Sequence, residues 1–178
     1  MEINSFEFEK LSDTNIADYF GAVGVYVLWD SQAKKVPSYI GEGGIFKRFS
    51  DHENNFAHPI DGYVAFGGYA PDGIKSYKKD SELLEAVLLH ISERIGKEPK
   101  HNHQKNYKTP IEKYFTSNRV LKFEIEGYDP FCHPDRKEKI RPQEIFLEKK
   151  QNKIHLVKHP WREVADPSFG SILFELDD

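Results

Sequence analysis

Tyr26, Tyr39, Arg48, His52, Glu85 and Asn102 are the side chains of this sequence whose types and spacing could do chemistry together. A guanidinium is a planar, permanently charged fork that matches two phosphate oxygens, where an ammonium delivers only a point charge. A glutamate is a hard oxygen ligand for Mg²⁺ or Mn²⁺. One carboxylate suffices for such an ion, because magnesium keeps several waters and takes further oxygens from a phosphate substrate. A neutral imidazole accepts a proton near physiological pH. A phenol of pKa about 10 is only about 0.1% ionised at neutral pH, so a tyrosine acting as a base needs a cation or a proton acceptor beside it. The set meets the needs of phosphodiester hydrolysis: an activated water, charge neutralisation at a pentavalent phosphorus, and help for the departing oxygen. Each residue also has a plainer reading. Glu85 is then a solvated helix acid, Arg48 a surface cation, the tyrosines sheet aromatics, and Asn102 a turn residue.

The elements that must position these groups follow from pattern. GVYVLWD, from Gly24, is rich in β-branched and aromatic residues and reads as a strand; SQAKKVP reads as a turn and SYIG as a second strand, which makes a hairpin. Glu42-Gly43-Gly44 ends that strand, and Ile45, Phe46, Phe49 and Phe56 then recur at helical spacing, which sets Arg48 and His52 one turn apart on one face. DGYVAFGGYA is a third strand and PDGIKSYKKD a loop. Residues 81–95 give the clearest helix: Leu83, Leu84, Val87, Leu88, Ile91 and Ile95 trace one apolar stripe, with Gly96 as a stop and Glu85 the acid nearest the stripe. Upstream, a short strand at Phe6 to Phe8 and a turn or helix near Thr14 to Phe20 are expected. Downstream, NRVLKFEIEGY, the hairpin-like EIFLEKKQNKIHLV and GSILFEL form a β-rich appendage interrupted by the loop YDPFCHPDRKEKIRP.

Gly24-Val25-Tyr26, Tyr39-Ile40-Gly41, Arg48 with His52, Glu85 within its helix, and Asn102 after Pro99 resemble, in order, the successive motifs of the GIY-YIG nuclease superfamily. The resemblance covers residues 22–103. It implies an α/β fold whose core is a small three-stranded antiparallel sheet flanked by helices, preceded by an N-terminal strap (1–21) and followed by a β-rich C-terminal extension (104–178). It also implies a metal-dependent endonuclease with one divalent cation, Mg²⁺ or Mn²⁺, on Glu85. By the same resemblance Arg48 holds the scissile phosphate, Tyr26 acts as base or base relay with Tyr39 beside it, His52 assists, and Asn102 bonds the local backbone or another site group. One position departs from the pattern: where some relatives carry a lysine beside the base, this chain has Glu42, and an acid there raises a phenol's pKa unless it points away.

The formal charge of −4 hides a division: residues 100–162 hold 15 Lys+Arg against 8 Asp+Glu, while the rest hold 10 against 21. A basic segment beside an acidic body is suited to a polyanion, so double-stranded DNA is the expected partner, contacted by Arg48 and Lys47 and, from the extension, by Arg136, Lys137, Lys149 and Lys150. A homodimer is compatible with paired cuts. The acidic, mixed N-terminus and the lone Cys132 lead to the expectation of a cytoplasmic protein without an intrachain disulfide. Two other classes stay open: a non-cleaving nucleic-acid-binding module on the same scaffold, and a regulatory interaction protein that works through its acidic body.

Overall fold

A computed structural model describes residues 2–32, 35–55, 60–69, 74–94, 96–102, 120–135, 143–150, 153–160 and 172–175. They form a mixed sheet with two α-helices. The strands are β1 (Glu2–Lys10), β2 (Ala22–Asp30), β3 (Tyr39–Gly44), β4 (Ile60–Tyr69), β5 (Val120–Gly127), β6 (Gln143–Lys150), β7 (Lys153–Pro160) and β8 (Ile172–Glu175). The helices are α1 (Ile45–Glu53) and α2 (Ile74–Arg94), with short 3₁₀ turns at Leu11–Asp13 and Ile16–Tyr19. The sheet runs β3-β2-β4-β1-β5-β6-β7-β8, and every pairing is antiparallel except β1 with β5.

The expected three antiparallel strands are present as β3-β2-β4, with β2 in the middle. Its apolar run is near-continuous because both faces are covered, as burial on two sides requires. Val25, Val27 and Trp29 face α2 and share a core with Leu83, Leu84, Val87, Leu88 and Ile91; Ala22, Tyr26 and Leu28 face α1 and cluster with Ile45 and Val64. Trp29 serves the core, and its indole N–H donates to the Pro130 carbonyl at 3.3 Å.

Two elements exceed their sequence-based bounds. The strand expected at Phe6 to Phe8 spans Glu2–Lys10 and lies between β4 and β5, so the expected strap is a sheet strand joining the core to the appendage. Its burial alternates in the middle, with Phe6 and Phe8 under the α2 face and Ser5, Glu7 and Glu9 on the other. Helix α2 begins at Ile74, inside the stretch expected to be a loop. Periodicity reads only an apolar stripe, and in the lysine-rich IKSYKKD stretch just Ile74 and Tyr77 are apolar, although lysine is a good helix former. Phe56 and residues 136–142 lie outside the described residues. No described helix is long and apolar enough to cross a membrane.

Candidate active site

The two phenols meet because of a glycine. Tyr26 on β2 stands opposite Gly41 on β3, and Leu28 opposite Tyr39, so both tyrosine rings lie on the α1 side of the sheet. They stack with centroids 5.9 Å apart and planes 15° from parallel. A Cβ at Gly41 would sit 2.5 Å from Tyr26 Oη and 2.4 Å from Tyr39 Cε1, closer than packed atoms allow. Glycine at this position leaves the space in which the rings overlap.

Helix α1 starts directly after β3 and delivers Arg48 and, one turn on, His52. The Nε2 of His52 is 3.3 Å from Tyr26 Oη, and its ring lies 4.4 Å from the ring of Tyr39. Arg48 is exposed and passes over Gly43, whose backbone adopts φ +127°; a Cβ there would be 3.5 Å from Nε. Glu85 comes from α2, on the other face of β3. Its carboxylate accepts the backbone N–H of Glu42 and feels the charges of Glu42, Glu82 and Arg48.

Asn102 holds the edge of this arrangement. β3 is an edge strand of the sheet, and the Asn102 side chain closes a two-point clamp on it: Oδ1 accepts Ile40 N–H at 2.9 Å and Nδ2 donates to Ile40 O at 2.7 Å. The His101 N–H donates to Ser38 O beside it. An open strand edge has unsatisfied backbone groups, and the clamp satisfies those of the residue between the Tyr39 and Gly41 positions. Asn102 is therefore a positioning residue; its amide is engaged with Ile40.

The electrostatics follow from burial. Burial, then the neighbouring Tyr39 phenol, pushes the Tyr26 hydroxyl well above the ordinary phenol range; burial, then Glu85, raises Tyr39. His52 is pushed below its usual 6.5 by burial and then by the Arg48 charge, so it is a neutral proton acceptor at physiological pH. Burial, then Glu42 and Glu82, lifts Glu85 from 4.5 to about 7. The Glu42 question raised by the sequence has a mixed answer. Glu42 pairs with Val25, which faces α2, and it raises both phenols only as a lesser cause; its larger effect falls on Glu85.

Of the residues expected to contact substrate, Lys47 is exposed on α1 next to Arg48. Lys149 and Lys150 sit on β6, five strands from β3, or about 24 Å across the sheet at the usual strand spacing. Arg136 and Lys137 lie outside the described residues. A recess of about 660 Å³ intervenes, lined by Glu7, Glu9, Asp13, Asp18 and Glu126 with Ser5 and Tyr19, whose hydroxyl donates to Glu9. Its carboxylates repel phosphate, so it is no part of a polyanion track between the phenols and β6. Sequence reasoning missed the spatial role of Gly41, for which the only signal was its place opposite Tyr26 in the hairpin. No described group of three or more His, Cys, Asp or Glu side chains gathers as a metal nest. The chain matches no protein-family model, no curated protein and no solved structure.

Proposed function

We propose that this chain is a metal-dependent endonuclease of the GIY-YIG kind that hydrolyses phosphodiester bonds in DNA. The observation that carries the reading is the 3.3 Å contact between Tyr26 Oη and His52 Nε2, made within a cluster that also brings in Tyr39, Arg48 and Glu85.

The raised pKa of Tyr26 disfavours a standing phenolate and supports a relay. The Tyr26 hydroxyl donates its proton to neutral His52 Nε2 as its oxygen takes a proton from the attacking water, so the imidazole carries the net charge and the phenol remains neutral. Tyr39, stacked on Tyr26 and against His52, fixes both rings and offers a hydroxyl to the same cleft. Arg48 meets the non-bridging oxygens of the scissile phosphate, where negative charge grows in the transition state.

Glu85 fits a divalent cation. Its carboxylate is poorly solvated and crowded by Glu42 and Glu82, so negative charge there is destabilised until a cation neutralises it. Glu85 would hold Mg²⁺ or Mn²⁺, with waters and substrate oxygens completing the shell. When bound, the ion supplies charge neutralisation at the phosphate and at the departing oxygen.

Supercoiled plasmid incubated with the wild-type chain and Mg²⁺ or Mn²⁺ is expected to be nicked, with cleavage abolished by EDTA and by Glu85→Ala and reduced about 10²- to 10⁴-fold by Tyr26→Phe. Tight DNA binding without metal-dependent nicking would support the non-cleaving module instead. Absence of both, with capture of one stoichiometric protein partner, would favour the regulatory reading.

A further inference from the structure

Phe20 is the large apolar side chain that stays exposed among the described residues, at 74%. A lone exposed aromatic needs no explanation by itself, but three features set this one apart. The ring packs edge-to-face on Phe46 of α1, centroids 5.6 Å apart at 67°, so Phe46 buttresses the exposed Phe20 ring in an aromatic platform. Its backbone is fixed: Phe20 N–H donates to Ala17 O at 3.1 Å, and Gly21, at φ +80°, turns the chain from the 3₁₀ segment into β2. Third, the platform belongs to the helix that carries the site.

That helix orders the groups. Ile45 is buried and Phe49 and His52 half-buried, which fixes the inner face of α1. Consecutive residues step about 100° around a helix, so Phe46, Lys47 and Arg48 fan across its outer side, with Phe46 on one flank, the exposed Lys47 at the crest and Arg48 on the flank of the phenols. A strand whose phosphate sits on Arg48 can therefore cross α1 over the Lys47 ammonium and reach the phenyl platform. The crossing is one helix diameter, about 10–12 Å, a distance that a few nucleotides of strand span.

We propose, on the basis of the nuclease reading above, that the Phe20–Phe46 platform stacks an unpaired nucleobase a few nucleotides from the cut phosphate, which makes a duplex interrupted by an unpaired base the preferred substrate over an intact duplex. The path offers a fork for one phosphate, an ammonium for the next, and an apolar aromatic face where a base has left the helical stack; beyond Phe20 it ends at the acidic recess of Asp18 and Tyr19, which phosphate does not enter. A base still paired in a duplex has no free face to offer.

The test uses the full-length chain in Ca²⁺, to permit binding without cutting, and three DNA probes: intact duplex, the same duplex with a one-base bulge, and the bulge replaced by 2-aminopurine. Wild type is expected to prefer the bulged duplex and to quench the 2-aminopurine. Phe20→Ala and Phe20→Leu are expected to lower the bulged-to-intact affinity ratio about 5- to 100-fold, the range that base–aromatic stacking supports, and to lose quenching, while Phe20→Trp retains both. A bulge preference and quenching left unchanged by Phe20→Ala would overturn this inference while leaving the nuclease reading intact, as would equal affinity of the wild type for both duplexes. A wild-type chain that binds none of the probes would overturn both.

Discussion

Replacing Glu85 by glutamine is expected to make the metal-free protein more stable and to do so only on the alkaline side. The side chain titrates at about 7 in the folded chain against an ordinary 4.5. Below 4.5 it is protonated in both states and adds no pH dependence. Between 4.5 and 7 the unfolded chain ionises and the folded chain does not, so the folded state holds the extra proton and stability falls as pH rises. The loss is complete above the folded pKa, and a difference of 7 − 4.5 corresponds to about 3 kcal/mol at most. Glutamine keeps the carbonyl oxygen that accepts the Glu42 N–H and never ionises. The variant should therefore exceed wild type by about 3 kcal/mol near pH 8, or about 6–12 °C in Tm for a chain of this size, and by less than about 1 kcal/mol near pH 5.

The assay is thermal unfolding of both proteins in EDTA at the two pH values, repeated with Mg²⁺. Added Mg²⁺ should stabilise the wild type and not the variant, because binding to the folded state alone raises stability by mass action. A variant that is less stable than wild type at both pH values, or a difference between the two that does not change with pH, would refute the reasoning: Glu85 would then be a well-accommodated structural acid.

Two shorter predictions bear on the geometry. Gly41→Ala places a methyl within 2.5 Å of Tyr26 Oη; it should cost about 1–3 kcal/mol as overpacking and remove plasmid nicking, measured by urea unfolding beside the nicking assay. Lys47→Glu should weaken DNA binding and flatten its salt dependence more than Lys149→Glu with Lys150→Glu, because β6 is about 24 Å from β3 with the acidic recess between; equal losses in fluorescence titrations at several salt concentrations would reverse that ranking.

The sequence was most legible where a single periodicity governed. β2 and β3, α1, and the apolar half of α2 follow from runs and stripes, because their burial is regular. The first turns of α2 were missed because Ile74 and Tyr77 stand among polar residues in their sequence, and the full extent of β1 because, among its described side chains, Phe6 and Phe8 are the ones in the core. That β1 sits between β4 and β5, and so makes one sheet of two expected parts, is a long-range pairing no local pattern encodes. At the candidate site, residue types suggested a chemistry, and the placement of Arg48 and His52 one turn apart on α1 followed from helical spacing. What spacing could not give was which neighbour matters to which group. Glu42 was read as a hazard to the phenols, yet strand alternation sends it to the α2 face, where its main effect is on Glu85.

The same features that set up the cluster also tax the fold. Three groups that prefer water, two phenols and a carboxylate, are drawn into partial burial around β3, an edge strand of the sheet packed by α1 on one side and α2 on the other. An edge strand as short as Tyr39–Gly44, with Gly41, Gly43 and Gly44 in it, has little of its own to hold it in register. Register is what keeps Gly41 opposite Tyr26: a slip of one residue would turn Tyr39 to the α2 face and drive a side chain into the phenol. The Asn102 clamp on Ile40 acts at the point where that slip would have to begin. The carboxamide thus acts through the backbone of β3, holding the strand whose alternation decides which side chains face α1 and which face α2.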